Sequence, residues 1–90
     1  MLYMNILTWE PGKRDDVLKR VQTKGLSHEG IKVLGTWADV VGGRCFQLTE
    51  EPSDPKLSIK ANFAWNDLLK IECVPVMEAE QLVKVLANLK

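Results

Sequence analysis

"GTWADVVGGRCFQLTE", residues 35–50, predicts a β-hairpin and through it the fold of the chain. Two runs with β-branched and aromatic residues flank Gly42 and Gly43, and paired glycines supply the positive φ that tight hairpin turns need. We therefore interpret the stretch as the join between strand two, about 31–39, and strand three, about 43–50. The two glycines are interpreted as a turn and not as a phosphate-binding loop.

Two further strands lie outward from this hairpin. Residues 2–9, "LYMNILTW", are apolar at both alternating sets of positions, with Asn5 as the exception, which is typical of a central strand covered on both faces. Residues 68–76, "LLKIECVPV", form the fourth strand, and Pro75 within it indicates a sheet edge or a bulge.

Three helices complete the pattern. The first spans roughly 12–24 and ends at Gly25. The second begins at "SDP", residues 53–55, where an aspartate cap precedes a proline at the first helical position, and it runs to about Trp65. The third, 78–89, carries apolar residues at helical spacing.

The resulting order, β-α-β-β-α-β with an extra C-terminal helix, predicts an α+β, ferredoxin-like fold in one domain spanning residues 1–90. Right-handed crossovers and the hairpin give a four-stranded antiparallel sheet with the spatial order 4-1-3-2. Both crossover helices then lie on one face of that sheet. The other face stays uncovered although its strands are apolar, so we predict a homodimer that packs sheet against sheet.

Composition excludes several classes of partner. Twelve basic and 12 acidic side chains give no net charge and no basic stripe, which argues against nucleic-acid binding. No apolar run approaches the length of a membrane span, and the first residues lack the features of a signal peptide, so we predict a cytoplasmic protein.

Cys45 and Cys73 are predicted to be reduced thiols, because strand one would separate them by about 9–10 Å, too far for a disulfide.

Several motifs carry a resemblance to a known family. "MLYM" at the start, "RCFQL" with Glu50, "TWAD" at 36–39 and "WNDLLKIECVPV" resemble an uncharacterised family of small prokaryotic proteins. That family carries a domain-of-unknown-function label and belongs to the dimeric α+β barrel group of ferredoxin-like folds. The resemblance covers nearly the whole chain and implies fold and dimerisation, not an activity. The sequence departs from the family pattern at Ala61, where a second tryptophan is expected before Trp65.

The wider barrel group includes haem-degrading and quinol-oxidising monooxygenases. Asn5 and Trp65 are similar to an asparagine and a tryptophan of the haem-degrading members, which also need an iron-binding histidine on the second helix. Here the only histidine, His28, lies in the loop before strand two. The resemblance therefore implies no haem degradation, and we predict no cofactor.

No spacing of histidines, cysteines or carboxylates predicts a metal site, and no residue is identified as catalytic. Asn5 is a candidate ligand-binding residue because a buried amide needs hydrogen-bond partners, and Tyr3 shares its strand face. Trp37 and Trp65 are large enough to form pocket walls, although packing in the core is the commoner role of such side chains. Each candidate also has a purely structural interpretation.

Arg44 is the fifth candidate. An arginine among apolar neighbours on a central strand needs an acidic partner or a bound anion. A structural pair with Asp39 across the hairpin, or a pair in the dimer interface, is favoured over ligand binding. Cys45, beside Arg44, points to the opposite face and is interpreted as a buried thiol and not as an activated one.

Three functions fit the sequence. The first is a homodimeric small-molecule-binding or regulatory protein with pockets between sheet and helices. The second is a cofactor-independent monooxygenase of the quinol-oxidising kind, which needs a hollow of several hundred Å³ with convergent polar groups, consistent with the usual size of ligand pockets, about 300–1,000 Å³. The third is a non-catalytic scaffold dimer. We rank binding first, because no acid, base or nucleophile is evident.

Overall fold

The computed structural model describes residues 1–25 and 30–89 and has an α+β fold. In chain order its elements are strand β1 Leu2–Thr8, helix α1 Arg14–Lys24, strands β2 Lys32–Ala38 and β3 Arg44–Glu50, helix α2 Pro55–Phe63, strand β4 Lys70–Val76 and helix α3 Ala79–Asn88. No helix in the described ranges combines the length and apolar character needed to cross a membrane.

The four strands form one antiparallel open sheet in the order β2-β3-β1-β4. Counted from the β4 edge, the neighbours are 4-1-3-2. Strand β1 lies between β3 and β4, and Asn5 at its centre pairs with Gln47 on one side and Cys73 on the other. This register places three side chains of different strands next to one another on the same face of the sheet.

Local sequence signals determine most of the element ends. Gly42 and Gly43 have φ values of 111° and 89°, so the β2–β3 turn uses the conformational freedom that glycine offers. The Asp54 side chain accepts a hydrogen bond from the Lys56 backbone N–H at 3.0 Å and caps α2, with Pro55 in the first turn. The predicted hairpin turn and the predicted helix start are both confirmed.

Two predicted helix ends differ from the structure. A 3-10 turn, Pro11–Lys13, precedes α1, which therefore begins at Arg14 and not near residue 12. Helix α2 ends at Phe63 and not at Trp65, because the chain tightens into a turn in which the Trp65 backbone N–H donates to the Asn62 backbone carbonyl at 3.1 Å. After this turn the Trp65 side chain is buried in the core, where Leu7 and Ile71 of the sheet pack against it.

One face of the sheet, called here the covered face, packs against α1 and α2. Its core is formed by Val17, Trp65 and Leu69, each at most 7% exposed. Arg20 of α1 connects this layer to the segment after α2: its guanidinium binds both Asp67 carboxylate oxygens at 2.6 and 2.8 Å. The same guanidinium lies 5.6 Å from the centre of the Trp65 ring, a cation–π distance.

The opposite face, called here the open face, carries none of the helices of the described residues. Its apolar side chains follow from the strand register and are all partly or largely exposed: Leu2, Met4, Ile6, Trp37, Phe46, Leu48, Val74 and Val76. The Trp37 ring lies across Gly35, and a Cβ at that position would overlap the ring. Within the described chain strand β1 is covered on one face, so cover on both faces, as its sequence predicts, requires a partner.

Helix α3 extends away from the rest of the chain. Every one of its residues is exposed, including Leu82, Val83, Leu86 and the following Leu89. The molecule measures 50 × 30 × 18 Å with a radius of gyration of 15.0 Å, whereas a compact domain of this length has a radius of about 12 Å. The elongated shape leaves an amphipathic helix without a covering partner within the described chain.

Candidate functional site

A cavity of about 70 Å³ lies between the covered face and helices α1 and α2. Most of its wall is apolar and comes from both layers, with Leu7 and Ile71 on the strands and Val17 and Val21 on α1. Trp65 closes the helix side. At about 10–15 Å³ for each water-sized position, the space accommodates a handful of waters or a small organic group.

Polar side chains converge at one end of this cavity. The Asn5 amide nitrogen donates to the Gln47 backbone carbonyl at 3.2 Å and to the Thr49 hydroxyl at 2.9 Å. The Thr49 hydroxyl donates to one Glu51 carboxylate oxygen at 2.7 Å, and the Ser58 hydroxyl donates to the other. The chain of bonds joins β1, β3 and α2 through one carboxylate.

These polar residues are more deeply buried than the apolar strand residues around them. Asn5, Gln47, Thr49 and Glu51 are 8%, 5%, 2% and 8% exposed, and the first three are the fully buried residues of the described strands. Gln47 also donates from its side-chain amide to the Thr36 hydroxyl at 3.2 Å. Burial of polar groups costs free energy unless they are bonded, and the side-chain donors of Asn5, Thr49 and Ser58 are all bonded within the network.

Two free cysteines flank the network. Burial raises the pKa of the Cys45 thiol, which lines the cavity. Partial desolvation also raises the pKa of Cys73, although that residue is exposed; the Glu51 carboxylate adds to the rise and a hydrogen bond with Asn62 offsets part of it. Both thiols are unpaired, as predicted, although Cys73 is exposed and not part of a core. Raised pKa values make both poor nucleophiles near neutral pH.

Two of the five predicted site residues, Asn5 and Trp65, line the cavity. Tyr3 has the same strand parity as Asn5, but its hydroxyl lies at the surface, 3.6 Å from the Met1 sulfur. Tyr3 is therefore not among the residues of the cavity wall.

The other two predicted residues lie on the open face. The Arg44 side chain binds the Asp39 carboxylate at 3.0 Å and lies 5.2 Å from the Phe46 ring centre. This is one of the two structural pairs that the sequence favoured over ligand binding, and the hydrogen bond from Arg44 lowers the pKa of Asp39. Trp37 is 55% exposed beside them and does not share a pocket with Trp65, because the sheet separates the two rings.

The sequence did not single out four polar residues of the site: Gln47, Thr49, Glu51 and Ser58. A signal was present, because polar residues at 47, 49 and 51 alternate with Phe46 and Leu48 along strand three. An alternating strand normally directs its polar set to solvent. In this protein the polar set faces the helices, so the usual rule assigns these side chains to the wrong environment.

The described residues include no group of three or more histidines, cysteines and carboxylates arranged to hold a metal ion. His28, predicted to lie in an exposed loop, falls outside the described residues. The arrangement at the cavity thus places hydrogen-bonding groups and a carboxylate next to an apolar wall.

Comparison with known proteins gave one result. Residues 1–90 match the family described as "Domain of unknown function (DUF3303)". No match was found among curated proteins. No match was found among solved structures either.

Proposed function

The chain belongs to the DUF3303 family, and because that description assigns no activity, we propose from the site itself that the protein is a homodimer that binds a small molecule. The ligand occupies the cavity between the sheet and helices α1 and α2. The observation that carries this proposal is the convergence of buried polar side chains, Asn5, Thr49 and Glu51, at one end of an otherwise apolar cavity. Concave apolar sites with a few placed polar groups are typical of ligand pockets.

Burial of a carboxylate supports binding over a purely structural role. Glu51 is 8% exposed and adjoins an apolar wall, where a leucine of similar size would pack without any desolvation cost. Retention of a carboxylate, a hydroxyl and an amide at this depth lowers stability relative to an apolar core. Recognition of a polar ligand group is a reason to keep them.

The exposed area supports the homodimer. The chain exposes 6849 Å², about 1,500 Å² more than the roughly 5,300 Å² expected for a compact monomer of 10.2 kDa. A standard interface takes about 800 Å² from each partner, and obligate dimers take more. The open face and the apolar side of α3 supply this surface. A second copy is always present at matching concentration, so it is the partner that covers the face in every molecule.

The quinol-oxidising alternative has weaker support. A cavity of about 70 Å³ is several times smaller than the usual 300–1,000 Å³ of pockets for drug-sized ligands. Both amide hydrogens of Asn5 bind protein atoms and are not directed at a substrate. The scaffold alternative shares the dimer with the leading proposal and differs from it in leaving the cavity without a ligand.

Native mass spectrometry of protein purified from its own cells, compared with the denatured mass, tests both parts of the proposal. We expect a dimer that carries extra mass. A bare dimer would favour the scaffold alternative, and a bare monomer would contradict the homodimer. Two variants, each with a matched control variant, test the dimer and the ligand separately.

Leu48→Lys puts a charge on the open face and is expected to give monomers, because an unpaired charge in an apolar interface is costly. Gln22→Lys adds the same charge on the exposed side of α1 and should leave the dimer intact. Ala61→Leu fills part of the cavity and should remove the extra mass without loss of the dimer, whereas Ala61→Ser leaves most of the space open and should retain it.

A further inference from the structure

The hydrogen-bonding capacity of the cavity's polar end is unbalanced. The two amide hydrogens of Asn5 and the hydroxyl hydrogens of Thr49 and Ser58 are all used within the network. A carboxylate offers about four acceptor positions on its two oxygens. The Glu51 carboxylate accepts from two hydroxyls, those of Thr49 and Ser58. The Asn5 amide oxygen accepts none of the hydrogen bonds found among the described residues. The free capacity of these four side chains is therefore for accepting, and a ligand must bring donors.

The polar end also carries a carboxylate, that of Glu51, without a positively charged partner among the described residues. None of the ion pairs formed within residues 1–25 and 30–89 includes Glu51. The Met1 ammonium group binds the Glu51 backbone carbonyl at 3.0 Å, not its carboxylate. Hydroxyl donors stabilise a buried carboxylate but do not neutralise it, and a buried charge is stabilised best by an opposite charge within hydrogen-bond distance.

The remainder of the cavity selects the body of the ligand. Leu7, Ile71 and Leu69 present hydrocarbon surface next to the polar end. A volume of about 70 Å³ admits a short chain of a few carbon atoms and excludes a fused ring system. The wall thus complements a ligand with one polar head and a small apolar tail.

We propose that the cavity binds a small organic cation, a primary ammonium group on a short hydrocarbon body, with its N–H donors on the Glu51 carboxylate and the Asn5 amide oxygen. This proposal rests on the proposed function, because it names the ligand class of the same cavity. An ammonium group supplies three donors and a positive charge, which are the two properties that the polar end lacks. A carboxylate ligand would be repelled, and a neutral alcohol would supply one donor without charge.

A titration with three probes of one size tests the ligand class. Propylammonium, 1-propanol and propionate share a hydrocarbon body and differ in charge. Each is added to the full chain at constant pH and ionic strength, and the backbone amides of the covered face and the Trp65 indole N–H are followed by ¹H–¹⁵N correlation NMR. We expect saturable shifts with propylammonium at a Kd at least about tenfold below that of 1-propanol, as a charge-assisted hydrogen bond implies, and none with propionate.

The outcomes distinguish this proposal from the function on which it rests. Equal affinity for propylammonium and 1-propanol, or tighter binding of propionate, would overturn the ligand class and leave small-molecule binding in place. Saturable shifts with none of the probes would overturn the ligand class. If the native mass spectrum also shows a bare dimer, the binding function fails with it.

Variants of neighbouring carboxylates provide the matched control. Glu51→Gln keeps the shape and one acceptor oxygen, and it should remove the tenfold preference for propylammonium. Glu50→Gln makes the same change one residue earlier, on the open face, and should leave the preference unchanged. An unchanged preference in Glu51→Gln would contradict the proposal.

A second variant keeps the test valid if Glu51→Gln fails to fold. Ser58→Ala removes a hydroxyl that competes for a carboxylate oxygen, so the Kd for propylammonium should fall relative to that for 1-propanol. A Kd ratio that stays the same or moves in the opposite direction would contradict the proposal.

Discussion

The covered and open faces of the sheet show the reverse of the usual distribution of side chains. The face beneath the helices carries Asn5, Gln47 and Thr49 at its centre, all buried. The face without helices carries apolar side chains such as Met4 and Leu48, which remain partly exposed. In an ordinary two-layer α+β domain, polar residues would face the solvent and apolar residues the helices.

Each half of this reversal has its own cost. Polar groups beneath the helices require hydrogen-bond partners, and the bonds from Asn5 through Thr49 to Glu51 supply one for each of the Asn5 and Thr49 side-chain donors. Apolar groups on the open face require a cover that the described chain does not supply. The proposed ligand would bind beneath the covered face, and the proposed second copy would cover the open face.

The largest expected effect contrasts two tryptophans on opposite faces. Trp65→Ala should lower the free energy of unfolding by about 3–5 kcal/mol, as large core truncations do. Trp37→Ala, placed in the Leu48→Lys background so that the open face is not in an interface, should lower it by about 1 kcal/mol or less, because the ring is 55% exposed. Urea unfolding followed by circular dichroism measures both, and equal losses would remove the distinction between the faces.

The next effect concerns the polar network. Thr49→Val keeps the shape of the side chain but removes the acceptor for Asn5 and a donor to Glu51, which should cost about 1–3 kcal/mol of stability. Thr8→Val makes the same change at an exposed position of β1 and should change stability by at most about 0.5 kcal/mol. The same urea experiment applies. A neutral or stabilising Thr49→Val would show that the network is dispensable.

A smaller effect reports the charge of Glu51 from outside the cavity. In a Cys45→Ser background, Glu51→Gln should lower the pKa of the Cys73 thiol, because the carboxylate contributes to its raised value. The pH dependence of the reaction of Cys73 with an aromatic disulfide measures this pKa. Glu72→Gln, next to Cys73 in sequence but on the open face, is the control. A Cys73 pKa that stays the same in Glu51→Gln would indicate that no negative charge acts at the thiol.

The smallest effect concerns the ion pair at the rim of the covered face. The hydrogen bonds from Arg20 lower the pKa of Asp67 from 3.8 to about 2. A carboxyl with a lowered folded-state pKa stabilises the fold above its unfolded pKa, and this stabilisation is lost as pH falls from 3.8 through 2. Asp67→Asn should therefore flatten the fall of Tm in that window. Asp15→Asn, in an exposed pair with Arg14, should not; equal curves for Asp67→Asn and the unchanged protein would contradict the assignment.

Local signals explain why the elements could be predicted from the sequence. The glycine pair of the β2–β3 turn, the Asp54 cap and the proline after it act through their nearest neighbours, so each is readable without the rest of the chain. The end of α2 was misplaced because Trp65 leaves the helix to reach the sheet. That choice depends on packing and not on helix propensity.

The candidate site was predicted only in part, for a related reason. Asn5 was identifiable as a polar residue in an apolar strand, and Trp65 as an aromatic residue large enough to form a pocket wall. The alternation of strand β3 divides its side chains into two sets, but a period of two does not state which set faces the helices. The hydrogen bond between Ser58 and Glu51 forms only because α2 folds back over the sheet, which the sequence pattern does not show.

The sequence by itself determined the order of the strands and helices and the hairpin at Gly42 and Gly43. For Arg44 it favoured an ion pair, with Asp39 across the turn as one of two options. These depend on propensity and on contacts between residues close together in the chain. Only the tertiary structure decided that the polar set of β3 lies beneath the helices and the apolar set lies on the open face. The physical reason is that the side of the sheet on which the helices pack depends on the whole chain. That packing leaves Glu51 buried and its neighbour Glu50 exposed.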